Sequence, residues 1–554
     1  MGKQNKVCEN GEGRRKFLKF AGAAGVTALA GCLGDDEETD DPQPGDDDDD
    51  EIDDDDGDDG FEPDDDDEEP DDVQEGGTLR VGYEADLTGL DPHNISSVVS
   101  WNAVYNMCEG LVTVGEDGPV GRLAEDFEVD DTIYRFTLKQ GVQFHDGYGE
   151  LTAEDAVYSF ERMMDEDATT SSDLVEFVDE VRAVDEYEIE IELNQTFGPL
   201  LSYLTRVHWV LVPEDAVEDQ GGEIGDFQEP VGTGQFVFEE YAPDDRLVMS
   251  AFDDYHGEGA LVDEVEITIV PDEDARSLAL QNDDLDFVRG LPGRDAESVD
   301  QDEDTKVRLT ENSGWAQLHI NASEEPWDDP AVRRAVAHCL NRQAVVDTAA
   351  FGFGRAAWQP FPEGDFWHHD LDNEREFDPE EAQRILDEAG NPLDGVTLEV
   401  KSTSAYPMME AQAEILQANL AEIGVDVEIN SQEWGTHLTD FVESNFGALA
   451  FSVPYKVDPD EDYYGFLEEG GYNKYGDDQP DAERIRELLE EARDEVEPEA
   501  RREYYAELEE LVQEHVPWVS VAYTDNVNGL RENVYGFETW TLPYNRYWTM
   551  WIDE

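Results

Sequence analysis

Apolar and polar residues alternate along several short stretches of the chain, and each such stretch reads as a β-strand. Thr78–Tyr83, Ile133–Leu138, Tyr187–Leu193, Gln235–Glu239, Arg246–Ala251 and Glu264–Val270 form a first series. A second comprises Ala316–Ile320, Thr397–Val400, Val425–Ile429, Ala448–Val453 and Trp518–Tyr523. Between them lie segments of helical period with clear start and stop signals. Asp378-Pro379-Glu380-Glu381 caps a stripe of Ala382, Ile385, Leu386 and Ala389 that stops at Gly390, and Thr152-Ala153-Glu154-Asp155 opens another through Val157 and Phe160. Further helices fit Met409–Ile423, closed by Gly424, then Asp481–Glu495 and Glu499–His515, ended by Pro517. Strands and helices mix without a fixed repeat, so the expected body is α/β (α+β) with several lobes. A chain of 554 residues is too long for one compact core.

The first 75 residues follow neither period. Gly13-Arg14-Arg15-Lys16-Phe17-Leu18-Lys19 precedes an apolar stretch from Phe20 to Ala30 and then Gly31-Cys32. A charged region, a short apolar region and a small-residue processing site make a removed signal, too short to span a membrane. The twin arginines resemble the signal that exports folded proteins, and Leu29-Ala30-Gly31-Cys32 resembles a lipobox, so residues 1–32 are expected to direct export and lipidation of Cys32. Residues 33–75 hold 28 acids and no base. They lack the apolar content to fold and repel one another, which predicts a disordered acidic tether.

Charge changes the picture of the rest. The chain carries a formal net charge of -106, and the part beyond the tether is itself acidic, with five lysines against 24 arginines. That balance resembles proteins of halophiles, whose high salt shortens the Debye length from ~10 Å to ~3 Å and screens the repulsion. Nucleic acid is excluded as a partner on charge grounds. Four cysteines are no disulfide framework. Cys339 lies on a helical stripe with Val332, Ala335, Val336 and Leu340, and Cys108 follows an apolar run, so both are expected in cores, with a bond between them left open.

Several blocks in order resemble the family 5 extracellular solute-binding proteins, which include dipeptide, oligopeptide and nickel binders. Gly76-Gly77-Thr78-Leu79-Arg80-Val81 with Leu90-Asp91-Pro92 resembles the opening strand and loop, and Leu123-Ala124-Glu125-Asp126-Phe127 a second element. The most specific block is Tyr134-Arg135-Phe136-Thr137-Leu138-Lys139-Gln140-Gly141-Val142-Gln143-Phe144-His145-Asp146-Gly147, followed by Leu151 to Phe160. Pro230 to Gly234, Asp254-Tyr255-His256-Gly257 and Asn321 to Ala337 complete the match. The resemblance implies a two-lobed periplasmic-binding-protein-like fold with an extra third lobe and a cleft that closes on ligand. By that analogy lobe I is 76–110, 231–313 and 526–554, the extra lobe is 111–230, and lobe III is 314–525.

Chemistry for an enzyme is scarce. His145-Asp146 is the best-looking pair, but neighbours on a strand point apart, and the family places a turn there. Trp367-His368-His369-Asp370 reads as a solvated loop, since adjacent histidines seldom ligate one ion. Gly232-Thr233-Gly234 lacks the lysine and length of a phosphate loop. No catalytic residue, metal or cofactor is expected. Sequons at Asn94, Asn194 and Asn321 are candidate glycan sites.

A cleft that closes on a ligand needs rigid aromatic surface with a few polar groups, which selects Tyr83, Trp101, Tyr406, Trp434 and Tyr455, with core packing as the alternative for each. Glu84 and Lys456 lie near the presumed cleft and could supply charge. The family's peptide binders hold a Trp-x-x-Asp ahead of an Asp-Pro to take the peptide ammonium; counting back from Asp458-Pro459, those positions hold Ser452 and Tyr455. An arginine of the dipeptide binders, two residues before a tyrosine, is matched by Ser404 before Tyr406. The expected ligand therefore lacks two free charged termini. The function the resemblance implies is a monomeric, lipid-anchored receptor on the outer face of the membrane that hands a peptide-like or other small polar solute to an ABC permease. A sensory receptor of the same fold and a secreted hydrolase are the alternatives.

Overall fold

In the computed structural model, residue 70 and residues 73–554 are described, apart from 116–117, 166–167, 169–173, 175–176, 372–374, 539–541, 543 and 554. The signal, Cys32 and nearly all of the acidic segment lie outside the described residues.

Period two becomes strand geometry where it is read. In Ile133–Leu138 the side chains of Tyr134, Phe136 and Leu138 are buried and those between them are not, as a one-faced sheet demands. Helix Ala482–Asp494 buries Ile485, Leu488, Leu489 and Ala492 along one stripe. Asp155 accepts from the Thr152 backbone N–H at 2.8 Å in a capping box, and Asp378 accepts from Glu381 N at 2.9 Å ahead of Pro379.

One 11-stranded sheet runs in the order Asp426–Ser431, Thr397–Ser402, Ala448–Pro454, Thr305–Ile320, Trp518–Arg531, Phe287–Val288, Thr78–Tyr83, Glu264–Ile269, Arg246–Ala251 and Phe236–Ala242. Gly354–Ala356 pairs with Trp518–Arg531 off this path. Two of these strands far exceed their apolar stretches. Thr305–Ile320 has 16 residues and Trp518–Arg531 has 14, and they pair antiparallel from Thr305 opposite Arg531 to His319 opposite Trp518. The extra length is polar, with Lys306, Arg308, Thr310, Asn526 and Asn528 in the ladder, so hydropathy does not reveal it. Register shifts between Thr310 and Gly314. A Cβ at Gly314 would stand 2.7 Å from Thr524 Oγ1 and 2.9 Å from the Val453 carbonyl, so the close crossing needs glycine.

The two long strands join two separate apolar cores. One gathers Val81, Ile267, Phe287, Leu530 and Tyr547, and the other Leu318, Val336, Leu416, Leu489 and Val521. A third core, with Phe136, Phe160, Ile191 and Leu211, belongs to a four-stranded antiparallel sheet ordered Ala124–Asp130, Ile133–Leu138, Glu188–Leu193 and Val178–Asp185. Helix Ala153–Met163 packs on it. Cys108 and Cys339 are free, buried thiols in two different cores, so no bond links them. Asn321 is buried with its amide donating to the Ser444 carbonyl at 3.0 Å, which removes it as a glycan acceptor in the folded protein. Among the described residues no helix is long and apolar enough to cross a membrane.

Candidate functional site

The residues singled out for the cleft fall into several places. Tyr83, the last residue of its strand, is fully buried, and its hydroxyl lies 2.9 Å from that of Tyr547. Glu84 next to it pairs with Arg289, yet Glu84 Oε2 is buried without a hydrogen-bond partner. Trp101 sits on helix Val98–Met107, edge-on to His208 at 5.5 Å, its indole N–H directed to the Ile95 carbonyl at 3.4 Å.

Of the others, Trp434 and Tyr455 pack against the core at the opposite ends of the long strands. Tyr406, 44% exposed, meets Trp434 edge-on at 4.7 Å, and Trp434 stacks over Phe451 at 6.0 Å. Ser452 lies on Ala448–Pro454 with its hydroxyl 3.5 Å from the Trp315 carbonyl. Tyr455, just past that strand, donates to Asp365 Oδ2 at 2.5 Å. Burial raises the Asp365 carboxyl above its usual range, against the bonds from Tyr455 and the Trp367 backbone N–H.

Tyr455 also lines a cavity at the break between the two long strands. Gly314 and Trp315 form one wall, Pro360-Phe361-Pro362 another, Pro454-Tyr455-Lys456 a third, and Asp462 and Tyr523 close it. The Tyr523 hydroxyl is 2.9 Å from both the Gln359 and Phe361 carbonyls and so pins the proline loop. Phe361 meets Tyr455 edge-on at 6.3 Å. The Trp315 indole N–H is buried and has no hydrogen-bond partner.

Asp462 lines the cavity from helix Asp460–Leu467, at whose start lies an acidic run. Asp458 receives two bonds from Arg501, at 2.6 and 2.7 Å, and Asp460 two from Arg493, at 2.6 and 2.9 Å. Tyr203, from the third core, donates to Asp460 at 3.0 Å, and Arg206 pairs with Glu461. Lys456 approaches Glu461 at 3.7 Å. Asp462 is 5% exposed, and burial, opposed by Lys456, pushes its carboxyl up to about 7.

Motifs that looked catalytic serve structure. His145 accepts from the Gly232 backbone N–H at 3.3 Å, and its Nε2 lies 2.9 Å from the Gly234 carbonyl, bracing the Gly232-Thr233-Gly234 turn. Asp146 beside it has φ +55°, the left-handed backbone of a turn. The turn is held from the other side by Glu109, which accepts from Thr233 at 2.8 Å, Arg122 at 2.8 Å and Tyr255 at 3.0 Å, with His256 at 2.9 Å. Burial would raise Glu109, but Arg122 and His256 hold it down to about 2. Among the described residues no cluster of three or more His, Cys, Asp or Glu could hold a metal.

Sequence reading missed Trp315, Asp462 and Tyr523 as cavity residues, and Asp365 as the partner of Tyr455. For Asp462 a signal existed: with Asp460, Tyr463, Phe466 and Leu467 it is buried on a helix, where acids are unexpected. Trp315 and Tyr523 reach the cavity, and Asp365 reaches Tyr455, from segments far apart in the chain, and no local pattern marks them.

The arrangement is a small recess of about 10 Å³ with aromatic and proline walls and a few polar groups. The chain is 27% identical over 498 residues to a di/tripeptide-binding protein of Pseudomonas aeruginosa, covering 83% of this chain and 92% of that one. It is also 27% identical to heme-binding protein A of Haemophilus influenzae, covering 84% and 90%. Its fold matches that of a periplasmic binding protein of Helicobacter pylori in complex with the peptide STSA, with a TM-score of 0.74, 24% identity and coverage of 87% and 99%. A Brucella suis protein in complex with Fe(III)-EDTA matches with a TM-score of 0.78 at 19% identity, covering 86% and 100%. The family described as "Bacterial extracellular solute-binding proteins, family 5 Middle" matches residues 118–474, and the chain belongs to family 5 of the extracellular solute-binding proteins.

Proposed function

We propose that this chain is the substrate-binding component of an ABC importer, which captures a peptide-like or other small polar solute in a cleft between lobes and delivers it to a membrane permease. The observation that carries this reading is the pair of long strands, Thr305–Ile320 and Trp518–Arg531, which cross between two apolar cores and lose register at Thr310–Gly314 beside the aromatic cavity. A register break in two crossing strands is where backbone rotation is absorbed, and closure over a solute shifts an open–closed equilibrium that a permease can read. Relatives named for binding di/tripeptides and heme support binding over turnover.

In this reading lobe I is 76–110, 231–313 and 526–554, lobe II is 111–230 and lobe III is 314–525. The three separate cores support that division. Tyr83, Glu84 and Trp101 face the solute from one side, and Tyr406, Trp434, Ser452 and Tyr455 from the other. Residues 1–32 direct twin-arginine export and lipidation of Cys32, residues 33–75 tether the body, and the protein works as a monomer in high salt.

Native mass spectrometry of protein purified in molar salt, paired with small-angle scattering, tests the proposal. A co-purifying small molecule is expected, with a smaller radius of gyration when it is bound. A protein that retains no solute and keeps one radius across peptide mixtures would refute it.

A further inference from the structure

We infer that the extra lobe is the catch of the closed form: its Phe197-Gly198 loop, Tyr203 and Arg206 dock on Asp460, Glu461 and Arg493 of lobe III and hold part of the population closed before a solute arrives. The inference rests on the reading that the lobes open and close around a solute, and adds what sets the balance between the two states.

Three kinds of contact cross from the third core to the core around Leu318. The Gly198 backbone N–H donates to the Arg493 carbonyl at 2.7 Å. The Tyr203 hydroxyl donates to Asp460 Oδ2 at 3.0 Å across 257 residues of sequence, and Arg206 pairs with Glu461. Phe177 and Phe197, stacked at 4.1 Å, present their rings to the Arg493 guanidinium at 5.5 and 5.4 Å, while two bonds to Asp460 fix its position. A Cβ at Gly198 would lie 1.8 Å from the Glu495 carbonyl oxygen and 3.1 Å from Arg501 Cδ, so only glycine lets the two backbones meet.

Both sides are braced. The Phe197 carbonyl accepts from the Tyr134 hydroxyl at 3.0 Å, which fixes the loop to its own core. The extra lobe is in turn tied to lobe I by Arg162, which donates to Asp91 at 2.9 and 2.7 Å, and by the enclosed Glu109–Arg122 pair. The chain passes from the extra lobe to lobe III through lobe I, so the catch is non-covalent and free to part. Asp460 and Glu461 open the helix whose Asp462 lines the recess at the strand break. Rotation at that break carries lobe III away from the other two together, and the catch must come undone first.

The catch is also suited to high salt. The Arg493 and Asp460 side chains are 11% and 0% exposed, and those of Arg206 and Glu461 20% and 4%. Charges enclosed in this way are screened far less than surface pairs. Contacts made only in the closed form raise its population in the absence of solute and add to whatever the solute contributes.

Hydrogen exchange read by mass spectrometry in molar salt, with small-angle scattering for the radius of gyration, tests this on the purified protein before and after addition of an enzymatic digest of casein. Wild type is expected to protect residues 197–206 already without the digest, and further with it. Tyr203→Phe, which keeps the ring and removes the hydroxyl, should speed exchange of that segment about tenfold in the absence of digest. Gly198→Leu should speed it at least as much and enlarge the radius beyond that of wild type, while exchange in helix Ala153–Met163 stays unchanged and shows the lobe folded. If that helix also exchanges faster, Tyr203→Phe decides by itself. Wild-type protein that protects 197–206 only with the digest overturns the catch and leaves solute binding standing. Exchange of the segment at the wild-type rate in Tyr203→Phe overturns it as well. A radius and exchange pattern that neither digest nor substitution alters overturns both the catch and the moving lobes beneath it.

Discussion

The hydroxyl of Tyr455 reaches Asp365 Oδ2 at 2.5 Å across 90 residues of sequence and ties the end of Ala448–Pro454 to the loop behind Pro362. Hydrogen bonds to an ionised partner are about twice as strong as neutral ones. Tyr455→Phe should therefore lower stability by about 1–3 kcal/mol. A thermal melt in molar salt checks this, and an unchanged melting point would show that the bond is not formed in solution.

Glu109 joins Arg122, Thr233, Tyr255 and His256 with its carboxylate completely enclosed. Removing one partner of a buried pair leaves an uncompensated charge, here on Arg122, and costs about 3–5 kcal/mol. Glu109→Gln is expected to show a loss in this range by denaturant titration; a loss below about 1 kcal/mol, the ordinary figure for one neutral hydrogen bond, would contradict the hub role.

Asp462 and Glu509 are both pushed up to about 7 by burial. Their pKa values are raised on folding, so between the unfolded value of about 4 and about 7 the native state binds more protons than the unfolded one. Their contribution is present in full at low pH and is lost as pH rises through that window, with a slope of up to about 1.4 kcal/mol per pH unit for each group. In the solute-free protein, Asp462→Asn should flatten part of this slope. A stability profile that rises from pH 4 to 7 equally in wild type and variant would contradict the assignment.

The net charge of -106 predicts dependence on salt. Lowering salt from molar to ~0.1 M lengthens the screening distance from ~3 Å to ~10 Å and should loosen or unfold the protein. Circular dichroism and melting curves that coincide at both salts would exclude it.

Lipid anchoring is tested in the cell that makes the protein. Cys32→Ser should release it to the medium, and replacement of both Arg14 and Arg15 by lysine should block export. Cys32→Ser protein that stays with the membrane would rule out the anchor.

Much of the architecture was legible because it is local. The capping box at Thr152 and Asp155, the Asp378-Pro379 start and the alternation in Ile133–Leu138 each depend on neighbours within a few residues, so the chain announces them. Strand length was less legible. In Thr305–Ile320 the half that carries Lys306, Arg308 and Thr310 is held by backbone pairing with Trp518–Arg531, and a backbone ladder leaves no mark on hydropathy.

The site divides along the same line. Sequence alone determined the mixed α/β class, the acidic character, the block order that marks the family and the departure at Tyr455, since these are properties of composition and order along the chain. Only the tertiary structure decided that Asp365 would meet Tyr455, that Trp315 and Tyr523 would face one cavity, and that Asp462 alone in its acidic run would be left without a base. Whether an acid is paired depends on arginines tens to hundreds of residues away, and their distance from it is set by how the cores pack, a quantity that no local pattern encodes.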